Sequence, residues 1–232
     1  MSTYVLIHGA SSDSWYWHRV MPLLAARGLD VVAPDLPCGD DAAGFEEYRD
    51  AVLDAIGDRT DLIVVAQSMG GFTAPLVCER VPVDLLILVA AMVPAPGESA
   101  GDWWGNTGWQ QARDEAEARA GRPVDAEFDL RTVFFHDVPP EVTEAAFARG
   151  ETPQSGTPFM RPWPGKAWPA VPTRFLLCRD DRMFPAAFQR RVVRERLGLV
   201  PDEMNSGHLP ALAHPEELVD RLEGYRAGLT GR

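Results

Sequence analysis

The chain has 232 residues, 46% of them apolar and 24% charged, enough for one large domain or a domain carrying a substantial insertion. Its formal net charge of −12 arises from 34 acidic and 22 basic side chains. No stretch concentrates Lys or Arg, so this surface repels phosphate backbones and argues against nucleic acid as a partner. Cys38, Cys78 and Cys178 lie far apart, are odd in number and form no CxxC pair, which speaks against a disulfide framework and a zinc knuckle. Reduced thiols in a cytoplasmic protein suit that usage. The apolar run Tyr4-Val5-Leu6-Ile7 is too short for the core of a signal peptide, and no basic region precedes it. No apolar stretch approaches the ~20 residues that span a bilayer. The expected location is the cytoplasm, away from membranes.

In chain order, short apolar runs alternate with amphipathic segments. Residues 4–8 read as a strand that ends at a glycine turn. Residues 15–27 have helical spacing through Trp17, Val20, Met21 and Leu24, and Gly28 is a natural C-terminal cap. Residues 31–33 form a second strand closed by Pro34. Phe45–Ile56 is a helix with Tyr48, Val52, Leu53 and Ile56 on one face. Residues 62–66 make a third strand, followed by a helix over 69–80 that contains Pro75, and residues 85–91 make a fourth strand. Between 94 and 168 the rhythm breaks into a segment rich in Pro, Gly and acidic residues, with helices expected over 107–120 and 140–149. Five of the seven tryptophans fall there: Trp103, Trp104, Trp109, Trp163 and Trp168. The alternation resumes with a strand at Thr173–Cys178, a helix at Ala186–Leu197, a short strand at 202–205 and a closing helix over 215–229.

These strands are continuously apolar, as expected when helices cover both faces of a parallel sheet. The expected fold is therefore α/β: a doubly wound, mostly parallel sheet with right-handed crossovers, interrupted by a helical insertion. Residues 1–93 and 169–232 form the core and residues 94–168 the insertion.

Four sites carry chemistry. In Ala66-Gln67-Ser68-Met69-Gly70-Gly71 a strand runs into a serine and then a helix, with small residues two positions either side of the serine. A nucleophile elbow needs that layout, because the serine sits in a strained turn. The new helix aims its free amides at the reaction centre, which makes the Met69 N–H an oxyanion donor. A serine that merely caps the helix is the competing reading. At His8-Gly9-Ala10, Gly9 lets the chain turn so that the Ala10 N–H supplies the second oxyanion donor, while His8 orients the loop. A strand then ends at Asp180-Asp181, on the rim that carries Ser68, where either aspartate could accept a histidine Nδ1–H. Last, Gly207 gives its loop the freedom to present His208; His18, His136 and His214 are less suitably placed. The order Ser68, acid, His208, each after a strand, is that of a hydrolase triad.

These motifs resemble the α/β-hydrolase superfamily, and within it the small plant-type esterases, methylesterases and hydroxynitrile lyases with their bacterial esterase relatives. The resemblance rests on His-Gly-Ala with Trp15-Tyr16-Trp17, Ala-Pro-Asp-Leu at 33–36, Gln-Ser-Met-Gly-Gly at 67–71 and Met-Val-Pro-Ala-Pro-Gly-Glu at 92–98. It extends to Phe-Phe-His-Asp-Val-Pro-Pro-Glu at 134–141 and to the Asp and His loops, so that nearly the whole chain is covered. It departs at Ala66, where glycine is usual. The resemblance implies Asp181 as the acid, residues 94–168 as a cap over the site, and hydrolysis of a carboxylic ester with an apolar acyl or aryl group. It calls for no cofactor and no metal. A small-molecule substrate is the expected partner, and homodimerisation stays open. A hydroxynitrile lyase or a biosynthetic cyclase or dehydratase on the same scaffold is the alternative. Lyases of this branch carry a lysine directly after the histidine, where this chain has Leu209.

Overall fold

The computed structural model describes residues 2–124 and 127–229. Strand β1 (Thr3–Ile7) leads through a 3-10 turn at Ser14–Trp17 and helix α1 (Val20–Ala26) to β2 (Asp30–Val32). Helix α2 (Phe45–Ile56), β3 (Leu62–Gln67), α3 (Gly70–Cys78) and β4 (Val83–Val89) follow. Between β4 and the next strand lie α4 (Ala100–Asn106), α5 (Trp109–Arg119), α6 (Leu130–Val133), α7 (Pro140–Ala148) and α8 (Thr157–Met160). The chain then returns to the sheet as β5 (Thr173–Cys178), α9 (Ala186–Leu197), β6 (Asp202–Met204), α10 (Pro210–Ala213) and α11 (Pro215–Ala227).

The six strands lie in the order β2-β1-β3-β4-β5-β6, and every pairing among the described residues is parallel. Alternate side chains enter two separate cores. Val5, Ile7, Val64, Ala66, Leu86, Leu88 and Leu177 pack with α2, α3 and α9. Tyr4, Leu6, Ile63, Val65, Ile87, Val89 and Leu176 pack with α1, α10 and α11 on the other face. Burial on both faces is why the central strands read as largely apolar runs, whereas the edge strands β2 and β6 carry Asp30, Asp202 and Glu203. Successive elements wind one way from β1 to β2 and the other way from β3 onward. The carboxyl ends of the strands around that switch form the rim where such sheets bind ligands.

Two expectations about helices change. The segment 15–27 is two elements rather than one. The Asp13 carboxylate accepts the Trp15 N–H at 2.9 Å and closes the first turn as 3-10, and the α-helix starts only at Val20. Helices α4, α6, α8 and α10 span only four to seven residues, too few to display a 3.6-residue period. Pro75 lies inside α3 without ending it. Of the ranges assigned to core and insertion, residues 1, 125–126 and 230–232 lie outside those described.

The 94–168 segment is fastened to α3, α9 and the loops beside them by indole N–H groups and one buried ion pair. Trp163 Nε1 donates to the Phe72 carbonyl at 2.8 Å, Trp103 Nε1 to Val93 at 3.1 Å and Trp109 Nε1 to Met183 at 2.7 Å. Glu98 receives Arg196 of α9 at 2.8 Å, the Asn106 amide at 2.9 Å and the Ala95 N–H at 3.1 Å. Burial alone would raise the Glu98 carboxyl, but the Arg196, Asn106 and Ala95 donors outweigh it and hold the group below its ordinary value.

Candidate active site

The turn after β3 is shaped by close approach. Ser68 has φ +51°, a left-handed conformation that costs a non-glycine residue about 1–3 kcal/mol. Its surroundings enforce it. The Ser68 carbonyl accepts the Gly71 N–H at 3.1 Å and the Met92 N–H at 2.9 Å. A Cβ on Gly70 would lie 2.8 Å from the His8 carbonyl oxygen, and one on Gly71 would fall onto the Met92 carbonyl. Helix α3 can start only where side chains are absent.

Gly9 has the same role from the other side. A Cβ there would stand 2.8 Å from the Ser68 Cβ and 2.7 Å from Gln67 Oε1. Its φ is not positive, so Gly9 serves approach rather than the sharp turn expected from sequence. His8 locks this loop. Its Nε2 accepts the Leu36 N–H at 3.2 Å, so the proton sits on Nδ1 and is donated to the Gly9 carbonyl at 2.8 Å. Burial lowers the His8 imidazole below its ordinary value, in keeping with this neutral form. Asp35 of the Ala-Pro-Asp-Leu motif ties the same region by accepting the Ser14 N–H at 2.7 Å. Among the described residues the Ala10 and Met69 N–H groups have no protein acceptor; Met69 directly follows Ser68, and Ala10 directly follows Gly9, which abuts the Ser68 side chain.

Ser68, His208 and Asp181 come together from the ends of β3, β6 and β5. Ser68 Oγ lies 3.0 Å from His208 Nε2, and His208 Nδ1 lies 2.7 Å from Asp181 Oδ2. The Asp181 carboxylate fixes the tautomer: Nδ1–H donates to it and Nε2 accepts the serine proton. The other carboxylate oxygen accepts the Met183 and Phe184 N–H groups, each at 2.8 Å. Asp181 and His208 are buried, whereas Asp180 is exposed and only its backbone N–H is engaged, to the Ser206 carbonyl. Of the two adjacent aspartates, Asp181 is the one that reaches the histidine.

Several contributors lie within the motifs of the resemblance, but nothing local in the sequence shows what they do. Gln67 Nε2 donates to the His208 carbonyl at 3.0 Å across 141 residues of chain. Asp137 accepts the Gly207 N–H at 2.6 Å. Gly207 leaves room for that approach, since a Cβ there would lie 2.5 Å from Asp137 Oδ1 and 2.8 Å from His136 Nε2. Its φ is not positive, so the freedom expected of Gly207 is again closeness. The rings of Phe134 and Phe184 stand 5.2 and 5.0 Å from the His208 ring. Phe147 packs against Phe135 and under Arg131.

The model of the alpha/beta hydrolase family matches residues 4–221. The chain belongs to the alpha/beta hydrolase family. A pyrethroid hydrolase from Sphingobium wenxiniae is 30% identical over 95% of this chain and 86% of its own length. Methylesterase 1 of Arabidopsis thaliana is 22% identical over 94% of this chain and 93% of its own length. Among solved structures, polyneuridine aldehyde esterase superposes with a TM-score of 0.75 at 20% identity, covering 97% of this chain and 99% of that one. The pyrethroid hydrolase of Sphingobium faniae JZ-2 superposes with a TM-score of 0.73 at 25% identity, covering 100% and 99%. These relatives fall in the plant-type esterase branch that the sequence motifs resemble. No helix among the described residues is long and apolar enough to cross a membrane.

Proposed function

We propose that this protein is a serine hydrolase that cleaves a carboxylic ester through Ser68, His208 and Asp181. One observation carries the reading: the unbroken chain from Ser68 Oγ through the His208 imidazole to the buried Asp181 carboxylate. A serine that merely capped α3 would need no such partner. The names of the relatives, pyrethroid hydrolase and methylesterase, support ester cleavage.

The geometry permits a two-stage cycle. His208 Nε2 takes the Ser68 proton as Oγ bonds to the ester carbonyl carbon. The carbonyl oxygen becomes an oxyanion, held by the free Ala10 and Met69 amides. The carbon–oxygen bond to the alcohol then breaks, and the alcohol leaves with the proton from His208. Water, deprotonated by His208, attacks the acyl-enzyme and releases the acid, and Ser68 recovers its proton. Asp181 stays ionised and steadies the imidazolium formed in both halves.

Residues 94–168 act as a cap over this centre. Phe134 of that segment, against the histidine ring, favours an apolar acyl or aryl group on the substrate. Leu209, in the position of the lyase branch's lysine, packs against the second core, which favours hydrolysis over cyanide chemistry.

A chromogenic short-chain ester tests the proposal with wild type and Ser68→Ala. Turnover is expected to fall about 10⁶-fold in the variant, as for other serine triads stripped of the nucleophile. A serine-directed organophosphate should add its mass at Ser68. Absence of both turnover and adduct in wild type would overturn it.

A further inference from the structure

Asp137 stands in the 94–168 segment, yet groups from the opposite side of the rim converge on its carboxylate. Oδ2 accepts the Gly207 N–H at 2.6 Å and the Ser206 hydroxyl at 3.3 Å, and lies 3.6 Å from His214 Nε2. Ser206 and Gly207 are the two residues that precede His208. Ser206 is itself buried, and its carbonyl accepts the Asp180 N–H at 3.0 Å. The histidine backbone is thus held on one side by Gln67, at the His208 carbonyl, and on the other by Asp137. Gly207 has no room for a side chain because Asp137 Oδ1 and His136 Nε2 occupy that space.

We propose that Asp137 is a positioning residue for His208: its carboxylate, delivered by the segment over the site, sets loop 206–208 so that Nε2 faces Ser68. The inference rests on the triad reading above. A short hydrogen bond to an ionised carboxylate is strong and directional. Proton transfer between Oγ and Nε2 depends on a separation that the loop sets, and a displacement of about 1 Å at such a centre lowers the rate about 10²-fold. The consequence is that the segment contributes to the base itself as well as to any substrate pocket.

The test measures Asp137→Ala, Asp137→Asn and Gly207→Ala in the full chain, with the chromogenic ester and with melting temperatures beside the kinetics. Asp137→Ala should lower kcat about 10²-fold while KM changes little. Asp137→Asn should recover most of the loss, because the amide oxygen can still accept the Gly207 N–H. Gly207→Ala drives a methyl group into the carboxylate and should reproduce the kcat loss of Asp137→Ala. A folded Asp137→Ala with wild-type kcat overturns the proposal, as does a loss confined to KM or an equal loss in the alanine and asparagine variants. If Asp137→Ala does not fold, Gly207→Ala decides: wild-type kcat there overturns the inference and a kcat loss upholds it. Failure of the triad reading is seen separately, as a wild type without an adduct at Ser68.

Discussion

The loop that carries Ser68 is wedged in place by missing side chains, whereas the loop that carries His208 is tied by donors and acceptors from afar. Around Ser68 steric constraints add to the two hydrogen bonds at its carbonyl: Gly9, Gly70 and Gly71 each admit a neighbour into the space a Cβ would fill. Around His208 they are polar: Gln67 holds the carbonyl of the histidine, Asp137 the amide before it, and Asp180 the carbonyl of Ser206. A nucleophile in a strained turn must be prevented from relaxing, and contact does that best. A base that swings between serine and leaving group needs its backbone fixed and its ring free to adjust, and hydrogen bonds at the backbone do that.

This contrast can be broken at four points. The largest effect should come from the acid. Asp181→Asn disturbs the histidine tautomer and should lower kcat about 10⁴-fold, while Asp180→Asn, whose side chain is exposed, should change it little. The reverse ranking in a steady-state ester assay would move the triad to the neighbouring residue. Next, Glu98→Gln touches neither loop and should lower stability by about 3 kcal/mol by removing the carboxylate charge that neutralises Arg196, without a matching loss of kcat. Because the folded state depresses the Glu98 carboxyl, its stabilisation is full above the unfolded value of about 4.3 and fades as pH falls through the folded value. The gap in melting temperature between wild type and Glu98→Gln should therefore be flat at neutral pH and narrow in acid. A gap that widened in acid would contradict that sign.

Third, Gly71→Ala pushes a methyl group into the Met92 carbonyl and should destabilise the fold by about 3 kcal/mol in denaturant titrations. Unchanged stability would remove the steric half of the contrast. The smallest effect should be that of Gln67→Leu, which keeps the bulk and removes the tie to His208. A kcat loss of about tenfold is expected, and a KM effect alone would assign Gln67 to substrate instead.

Much of the sheet and the order of its reactive residues was legible in the sequence. Two-sided burial makes β3 apolar over residues 62–66 and β4 over residues 85–89, and the β3 run leads through Gln67 to Ser68 and its small neighbours. Legibility stopped where the physics is non-local. Gln67 sits within the elbow pattern, but its partner lies 141 residues away, so its role could not be read locally. Asp137 and its Gly207 partner are separated by 70 residues. Gly9 and Gly207 could be singled out as glycines, but flexibility and closeness look alike without the neighbouring atoms. Choosing between Asp180 and Asp181 needed a resemblance first and then a distance. The short helices α4, α6 and α8 hold too few residues to print a period.

The indole seam between the 94–168 segment and the body beneath it has an optical consequence. Trp103 and Trp163 are buried and spend their N–H groups on carbonyls of residues 93 and 72. In that dry setting their emission lies toward the blue. If the segment lifts to admit a substrate, the same groups meet water and the emission moves toward the red. A red shift on mixing with ester, read by stopped-flow fluorescence without any added dye, is the expected sign of such a movement, and an unchanged spectrum would count against it.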